Sequence, residues 1–223
     1  MSLAIVYCRA SAGMLAPLVT VEAHISAGMP GLSIVGLPEK EVKESKDRVR
    51  SSLFNSNLDF PARKIIVNLA PADLPKEGGR FDLPIALGIL AASGQIPQES
   101  LEQYEFTGEL ALSGELRSVR GILPVALSAY QAGRQLIVPF QNASEAALVR
   151  RAKVFSAKHL LEVCAHLKGE QVLSKGVLDE TDKPVSYKLN LADVKGQIQA
   201  KRALEVAAAG RHSLHTSRSC ARR

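Results

Sequence analysis

The sequence is poor in several residue types, and each shortage excludes a class of protein. Its 223 residues contain three cysteines, no tryptophan and 4% aromatic residues. Three cysteines far apart in the sequence (Cys8, Cys164 and Cys220) disfavour a disulfide framework and are typical of a reducing cytoplasm. Scarce aromatic residues argue against the base-stacking surface of single-strand nucleic-acid-binding proteins. No apolar run reaches the roughly 18 residues that span a bilayer, so no membrane partner is predicted.

The formal net charge of +6 comes from one end of the sequence. Residues 195–223 hold 7 of the 28 Lys and Arg residues but only 1 of the 22 Asp and Glu residues. Residues 1–194 are therefore neutral overall. A neutral chain gains little from binding DNA unless folding gathers its positive charges on one surface.

Hydrophobic periodicity predicts strands and helices that alternate along most of the chain. Such alternation indicates an α/β or α+β fold. We expect strands over 3–9, 18–26, 31–35, 64–69, 135–138 and 153–155, and a hairpin formed by 105–112 and 115–120. We expect helices after residue 38 and over 83–93, 122–132, 143–150, 158–167 and 193–209.

The helix after residue 38 combines a narrow apolar stripe with many charges. Val42, Val49 and Leu53 form the stripe, and Glu44 and Arg48 are spaced for an ion pair across one turn. We interpret its charged side as a solvated face and not as a nucleic-acid-binding patch.

The helix over 83–93 is apolar on more than one face, which predicts a central position. Asp82 precedes it and is predicted to be its N-cap. Gly78 and Gly79, just upstream, are interpreted as turn glycines, because they do not fit a phosphate-binding GxGxxG pattern. Cys8 and Cys164 lie in apolar segments and are expected to be inert core thiols.

Motifs for metal and nucleotide binding are missing from these 223 residues. No GxxxxGK followed by Ser or Thr occurs, so the sequence contains no P-loop. His212, His215 and Cys220 suggest a metal site only loosely, because their segment lacks periodicity. No metal and no cofactor are therefore predicted for this chain.

Two short stretches resemble the proteolytic domain of Lon. Pro75-Lys76-Glu77-Gly78 leads into the apolar helix, as the loop that presents the nucleophilic serine does in Lon. Thr107-Gly108-Glu109 matches the later stretch before the lysine base. The resemblance covers roughly residues 60–165. It implies an α/β, two-layer fold of the Lon-protease type, which is also the ribosomal-protein-second-domain type.

The catalytic positions of that resemblance hold other residues. Arg80 stands where Lon has the serine, and Leu123 where it has the lysine. A Ser–Lys dyad needs a hydroxyl nucleophile and an amine that can accept its proton. Arginine stays protonated and leucine has no basic group. The sequence therefore predicts no catalytic residue, and a residual Ser–Lys peptidase is the weaker alternative.

Longer strings resemble the magnesium-chelatase-like AAA+ family that includes YifB and ComM. They are Val35–Pro38, Ile66–Arg80 with the FDLPIALGIL stretch that follows, and Asp193–Gly210, and the resemblance spans about residues 3–210. It implies a noncatalytic Lon-like domain over 1–168, a linker over 169–190 and the truncated start of an AAA+ module over 191–211. Residues 212–223 are predicted to be a disordered, aberrant tail, as from a frameshift or an early stop.

The resemblance implies a hexameric motor that acts on DNA, in branch migration during natural transformation. Its full-length members use ATP and Mg²⁺, and Val194, Gly196 and Gln197 match the segment beside adenine. Without a P-loop, we expect this chain to hydrolyse no ATP. The expected partners are further copies or AAA+ subunits in a ring, in the cytoplasm.

Two functions stay open for the body of the chain. The first is an interaction or regulatory module that keeps the protease shape without its chemistry. The second is direct DNA binding through a basic rim around the former catalytic cleft, with Lys76, Arg80, Arg117 and Arg120 as candidates.

Overall fold

An eight-stranded mixed sheet organises the first part of the chain in a computed structural model that describes residues 2–13, 15–177 and 190–215. The strands are β1 Ser2–Arg9, β2 Leu18–Ser26, β3 Gly31–Val35, β4 Lys64–Ala70, β5 Tyr104–Phe106, β6 Glu109–Leu110, β7 Leu116–Arg117, β8 Gln135–Pro139, β9 Val154–Ala157 and β10 Ser174–Lys175. The helices are α1 Lys40–Asn55, α2 Asp82–Ala92, α3 Ile122–Gln131, α4 Ala143–Ala147, α5 Leu160–Leu167 and α6 Ile198–Gly210.

The strand order in the large sheet is β10-β9-β8-β5-β1-β2-β4-β3. β1, β2 and β4 pair antiparallel, whereas β1, β5, β8 and β9 run parallel. β6 and β7 form a separate two-stranded ribbon. The predicted mixed α/β class is confirmed. The predicted hairpin is only partly present, because β5 joins the large sheet instead of continuing into the ribbon.

The antiparallel half of the sheet follows the alternation in the sequence. Along β2, Val19, Val21, Ala23 and Ile25 are buried and the residues between them are half-buried, as predicted. Helix α2 packs on this buried face, and the residues from Asp82 to Ala92 are all buried. At Gly88 a Cβ atom would lie 3.1 Å from the side chain of Ala23, so the glycine lets the helix approach the sheet closely. The predicted central helix is confirmed.

The parallel half carries helices on both faces, so the two-layer description fits only the antiparallel half. Ile137 of β8 and Phe155 of β9 belong to the main core, which also contains apolar residues of α5. Leu136 and Val138 of β8 belong to a second core with α3 and α4. Strands covered on both faces carry continuous apolar runs, which is why β8 and β9 show no alternation.

The described chain divides into two units, Met1–Asp179 and Glu180–Arg223. The first nine residues of the predicted linker include β10, which pairs with β9, and the buried Leu173. Residues 178–189 of that linker and residues 216–223 of the predicted tail lie outside the described residues. In the second unit, a 3₁₀ turn at Leu191–Asp193 precedes α6. None of the described helices has both the length and the apolar character required to cross a membrane.

Candidate functional site

The loop from the end of β4 to the start of α2 forms the candidate site. The backbone N–H of Glu39, before α1, donates to the carbonyl of Lys76 at 3.2 Å and fixes the middle of the loop. Gly78 has φ +76°, a left-handed conformation that favours glycine. At Gly79 a Cβ atom would lie 2.6 Å from the side chain of Glu109, so a larger residue would displace that carboxylate. Both glycines therefore serve the turn, as predicted, and together they place Arg80.

Arg80 is the residue predicted to stand at the serine position of Lon. Its side chain is buried, with 8% of the residue exposed. Its Nη2 donates to the carbonyl of Arg120 at 3.0 Å, while its Nη1 is buried without a hydrogen-bond partner among the described residues. Burial lowers the pKa of Arg80, although the guanidinium remains charged at any physiological pH. The loop thus contains a buried cation at the predicted nucleophile position.

Leu123 lies in the first turn of α3, three residues after the carbonyl that Arg80 binds. A hydrogen bond thus connects the loop that contains Arg80 to the segment before α3, and the assignment of the two residues to dyad positions stays a prediction. The Leu123 residue is 40% exposed, and its backbone N–H donates to Oε1 of Glu145 at 3.3 Å. An exposed leucine at this position can neither accept a proton nor orient a nucleophile.

Lys76 is the other amine in the loop and is fully buried. Its ammonium donates to the carbonyl of Pro71. Burial lowers the pKa of Lys76, and the charge of Asp73 opposes that shift.

Thr107, two residues before β6, has a buried hydroxyl group, and its Oγ1 has no hydrogen-bond partner among the described residues. No serine or threonine hydroxyl bonds to a lysine in the described parts of the chain.

Asp82 has a role that its position in the sequence does not reveal. The N-cap of α2 is Phe81, without a side-chain cap, so the prediction that Asp82 caps the helix is wrong. The Asp82 carboxylate instead accepts hydrogen bonds from Ser45 Oγ, from Arg48 Nε at 2.7 Å and from the backbone N–H of Leu110 at 3.2 Å. Burial raises its pKa, and the bonds from Arg48 and Ser45 oppose the shift. These contacts join α1, α2 and β6 beside the loop.

The helix spacing had predicted that Arg48 pairs with Glu44. In the structure Arg48 pairs with Asp82 instead. The remaining stripe of α1 is as expected, because Val42, Val49 and Leu53 are fully buried. Ser45 and Arg48 lie one turn apart, which was the only local signal for a polar contact on that side of the helix.

A second buried ion pair lies where β1 and β5 run parallel. Glu105 is fully buried and accepts two hydrogen bonds from Arg9, at 2.6 and 2.8 Å. Arg134 approaches the same carboxylate at 3.5 Å and lies 4.0 Å from the ring centroid of Tyr7. A bidentate guanidinium–carboxylate contact is the strongest geometry for such a pair. No local pattern in the sequence predicted this network, because Arg9 and Glu105 are 96 residues apart.

The four candidate DNA-binding residues do not share one surface. Lys76 and Arg80 are buried, so a rim formed by all four is absent. Arg117 is exposed and lies 3.7 Å from the Glu109 carboxylate, and Arg120 is exposed as well. Lysine and arginine are almost never fully buried in proteins, which is why residue type alone favoured a surface position. DNA binding by Arg117 and Arg120 stays a prediction.

The remaining predicted residues are distributed as follows. Val194, Gly196 and Gln197 lie in one exposed turn before α6, and their contact with adenine stays a prediction. Cys8 and Cys164 are buried, and burial raises the pKa of both thiols, that of Cys164 to about 11. Cys220 lies outside the described residues. Within those residues, no group of three His, Cys, Asp or Glu side chains could hold a metal ion.

Comparisons with known proteins agree with this architecture. Residues 21–142 match the family described as subunit ChlI of Mg-chelatase, and residues 190–218 match a second description, magnesium chelatase, subunit ChlI. The competence protein ComM of Haemophilus influenzae is 54% identical over 218 residues, 96% of this chain and 43% of the relative. The uncharacterized protein YifB of Salmonella typhimurium is 53% identical over 214 residues, 96% of this chain and 42% of the relative.

A more distant similarity supports the fold. A Lon protease of Trichlorobacter lovleyi is 26% identical over 156 residues, which is 64% of this chain and 19% of that protein. The chain spans less than half the length of the ComM and YifB relatives. The family match covers residues 21–142, and the identity to ComM and YifB exceeds 50%. The chain therefore belongs to the ChlI family of magnesium-chelatase-like proteins, together with ComM and YifB.

Proposed function

We propose that this chain acts as the noncatalytic, Lon-like part of a ComM/YifB-type AAA+ ATPase that promotes DNA branch migration during natural transformation. The link to competence rests on the 54% identity to a protein named competence protein ComM. In this proposal the first unit is an interaction and regulatory module. ATP and Mg²⁺ belong to the full-length family members, and the 223 residues by themselves hydrolyse no ATP.

The observation that carries the noncatalytic role is the burial of Arg80 at the former nucleophile position. Its guanidinium binds the Arg120 carbonyl of the segment leading to Leu123. The two positions that would perform peptide hydrolysis therefore contribute packing and one hydrogen bond. A protease scaffold without its dyad can still present surfaces to other subunits, and function resides in such sites more than in the fold.

An interaction role is also supported by the second unit. Helix α6 and the residues after it form a mainly apolar groove of about 660 Å³, in which Ile198 is 80% exposed and Val206 51% exposed. Exposed apolar patches of this kind mark surfaces that other protein segments cover. We propose that the covering surface belongs to AAA+ subunits or to further copies of this chain in a ring.

Transformation of a naturally competent host tests the proposal. Deletion of the gene for this chain should lower the recovery of a chromosomal marker, which requires recombination, and should leave plasmid uptake unchanged. Complementation with the wild-type gene and with Arg80→Met should restore the marker equally, because Arg80 has no chemical role. Equal loss of chromosomal and plasmid transformants would contradict the proposal. A folded Arg80→Met protein that fails to complement would contradict the noncatalytic role.

A further inference from the structure

An aromatic surface on the first unit is built from residues of α1 and the loop that follows it. The rings of Phe54 and Phe60 stack with centroids 6.4 Å apart and planes 30° apart. The Arg50 guanidinium carbon lies 5.8 Å from the centroid of Phe54 and 5.6 Å from that of Phe60. Phe60 packs partly on the core, whereas Phe54 is 56% exposed. We name Arg50, Phe54 and Phe60 the aromatic platform.

The aromatic platform borders a groove of about 370 Å³. The groove is also lined by Pro30, Gly31 and Leu32, at and just before the start of β3, which is an edge strand of the sheet. Lys46 lines the same groove one helical turn before Arg50. The groove thus contains a half-exposed aromatic ring, that of Phe54, beside two cationic side chains.

The charge around the groove is positive on balance. Lys46 and Arg50 line it together with a single carboxylate, that of Asp47. Arg63 and Lys64 are exposed directly after the loop residues that line the groove. Within the groove itself, two cations thus face one carboxylate. Part of the charged side of α1 therefore lines a groove, whereas the sequence was interpreted as giving a solvated face.

We propose that the aromatic platform and its groove bind single-stranded DNA. One base would stack on the exposed face of Phe54, and the flanking phosphates would contact Lys46 and Arg50. An aromatic ring beside cations is the combination that single-strand-binding proteins use, because every base has a stacking face. A duplex cannot present a free base face to the ring. The proposal deepens the proposed function and takes from it the choice of DNA as the ligand.

Fluorescence anisotropy with the full 223-residue chain tests this site. The probe is a labelled oligothymidylate of about 16 nucleotides, an upper site size for single-strand modules. Phe54→Leu keeps an apolar side chain but removes the ring, and should weaken binding about fivefold or more. Arg50→Gln should reduce the slope of log K against log salt by about 0.7 for each phosphate that the variant no longer neutralises.

Phe140→Leu is the matched control. Phe140 is also exposed, at 52%, and has the Lys158 ammonium 4.6 Å from its ring centroid, but it lies on another part of the unit beside Glu162. Its substitution should leave the affinity unchanged. Circular dichroism establishes that each variant is folded before its affinity is compared.

Several outcomes would overturn the proposal. They are the absence of oligonucleotide binding at low salt, equal weakening by Phe54→Leu and Phe140→Leu, or a Phe54→Leu effect confined to self-association measured by sedimentation. If Arg117→Ala with Arg120→Ala abolishes binding while Phe54→Leu does not, DNA binding stands but this site does not. A loss of transformation without any oligonucleotide binding would leave the proposed function intact and refute the platform alone.

Discussion

Arg9 and Arg80 are both buried arginines of the first unit, but their charges are balanced differently. Arg9 forms a bidentate pair with the fully buried Glu105 and links β1 to β5. Arg80 takes part in none of the ion pairs found in the described residues and has one carbonyl as its partner. The Arg9–Glu105 ion pair therefore connects two strands of the sheet. The lone guanidinium instead connects the loop before α2 to the segment before α3.

The largest effect on stability is expected from breaking the Arg9–Glu105 ion pair. Arg9→Met leaves the Glu105 carboxylate buried with only Arg134 near it, at 3.5 Å. We expect the free energy of unfolding to fall by about 3–5 kcal/mol, because an uncompensated buried charge is costly. Urea unfolding measures this as a shift of the midpoint at an unchanged slope. A loss below about 1 kcal/mol would show that the pair contributes little.

An intermediate effect is expected from pH, through the half-buried imidazole of His166. His166 contacts the Tyr104 hydroxyl through Nε2 at 3.0 Å, and its Nδ1 accepts the backbone N–H of Leu173 at 3.3 Å. Burial lowers the pKa of His166 below its ordinary 6.5. The unfolded chain therefore binds more protons than the folded one as the pH falls through 6.5. Stability should be retained above that pH and lost below it.

Urea unfolding at a pH of about 7.5 and about 5.5 measures that loss. His166→Gln should make the difference between the two pH values smaller. His24→Gln, a histidine on β2, is the control for removing an imidazole elsewhere. A pH dependence that survives His166→Gln unchanged would assign it to other groups.

The smallest effect is expected from Arg80 itself. Arg80→Met removes a desolvated charge and also removes the hydrogen bond to the Arg120 carbonyl. These changes oppose each other, so the free energy of unfolding should change by less than about 1 kcal/mol in either direction. The same urea experiment compares it with Arg9→Met. An equal loss of unfolding free energy in the two variants would contradict the distinction between the ion-paired Arg9 and the unpaired Arg80.

The sequence predicted the parts of the fold that local periodicity determines. The alternation of β2, the apolar stripe of α1 and the central position of α2 are observed as predicted. In these elements the position of a residue along the chain decides which face it occupies. The family was recognised as well, because long strings of the sequence match ComM and YifB.

The contacts that the sequence did not predict join distant segments. Arg48 and Asp82 are 34 residues apart, and Arg9 and Glu105 are 96 apart. Local spacing favoured nearer alternatives, a pair with Glu44 and a helix cap. The aromatic platform was missed for a related reason, because a count of few aromatic residues does not show that two of them meet beside Arg50.

The central claim of the proposed function is that this chain contains no working Ser–Lys dyad, because Arg80 is buried at the predicted nucleophile position. Incubation of the purified chain with casein and with fluorogenic peptides tests it most directly, with a folded Lys76→Met variant as the control. The account predicts no hydrolysis above the rate without protein, for either form. Hydrolysis by the wild-type chain that disappears in Lys76→Met would contradict it.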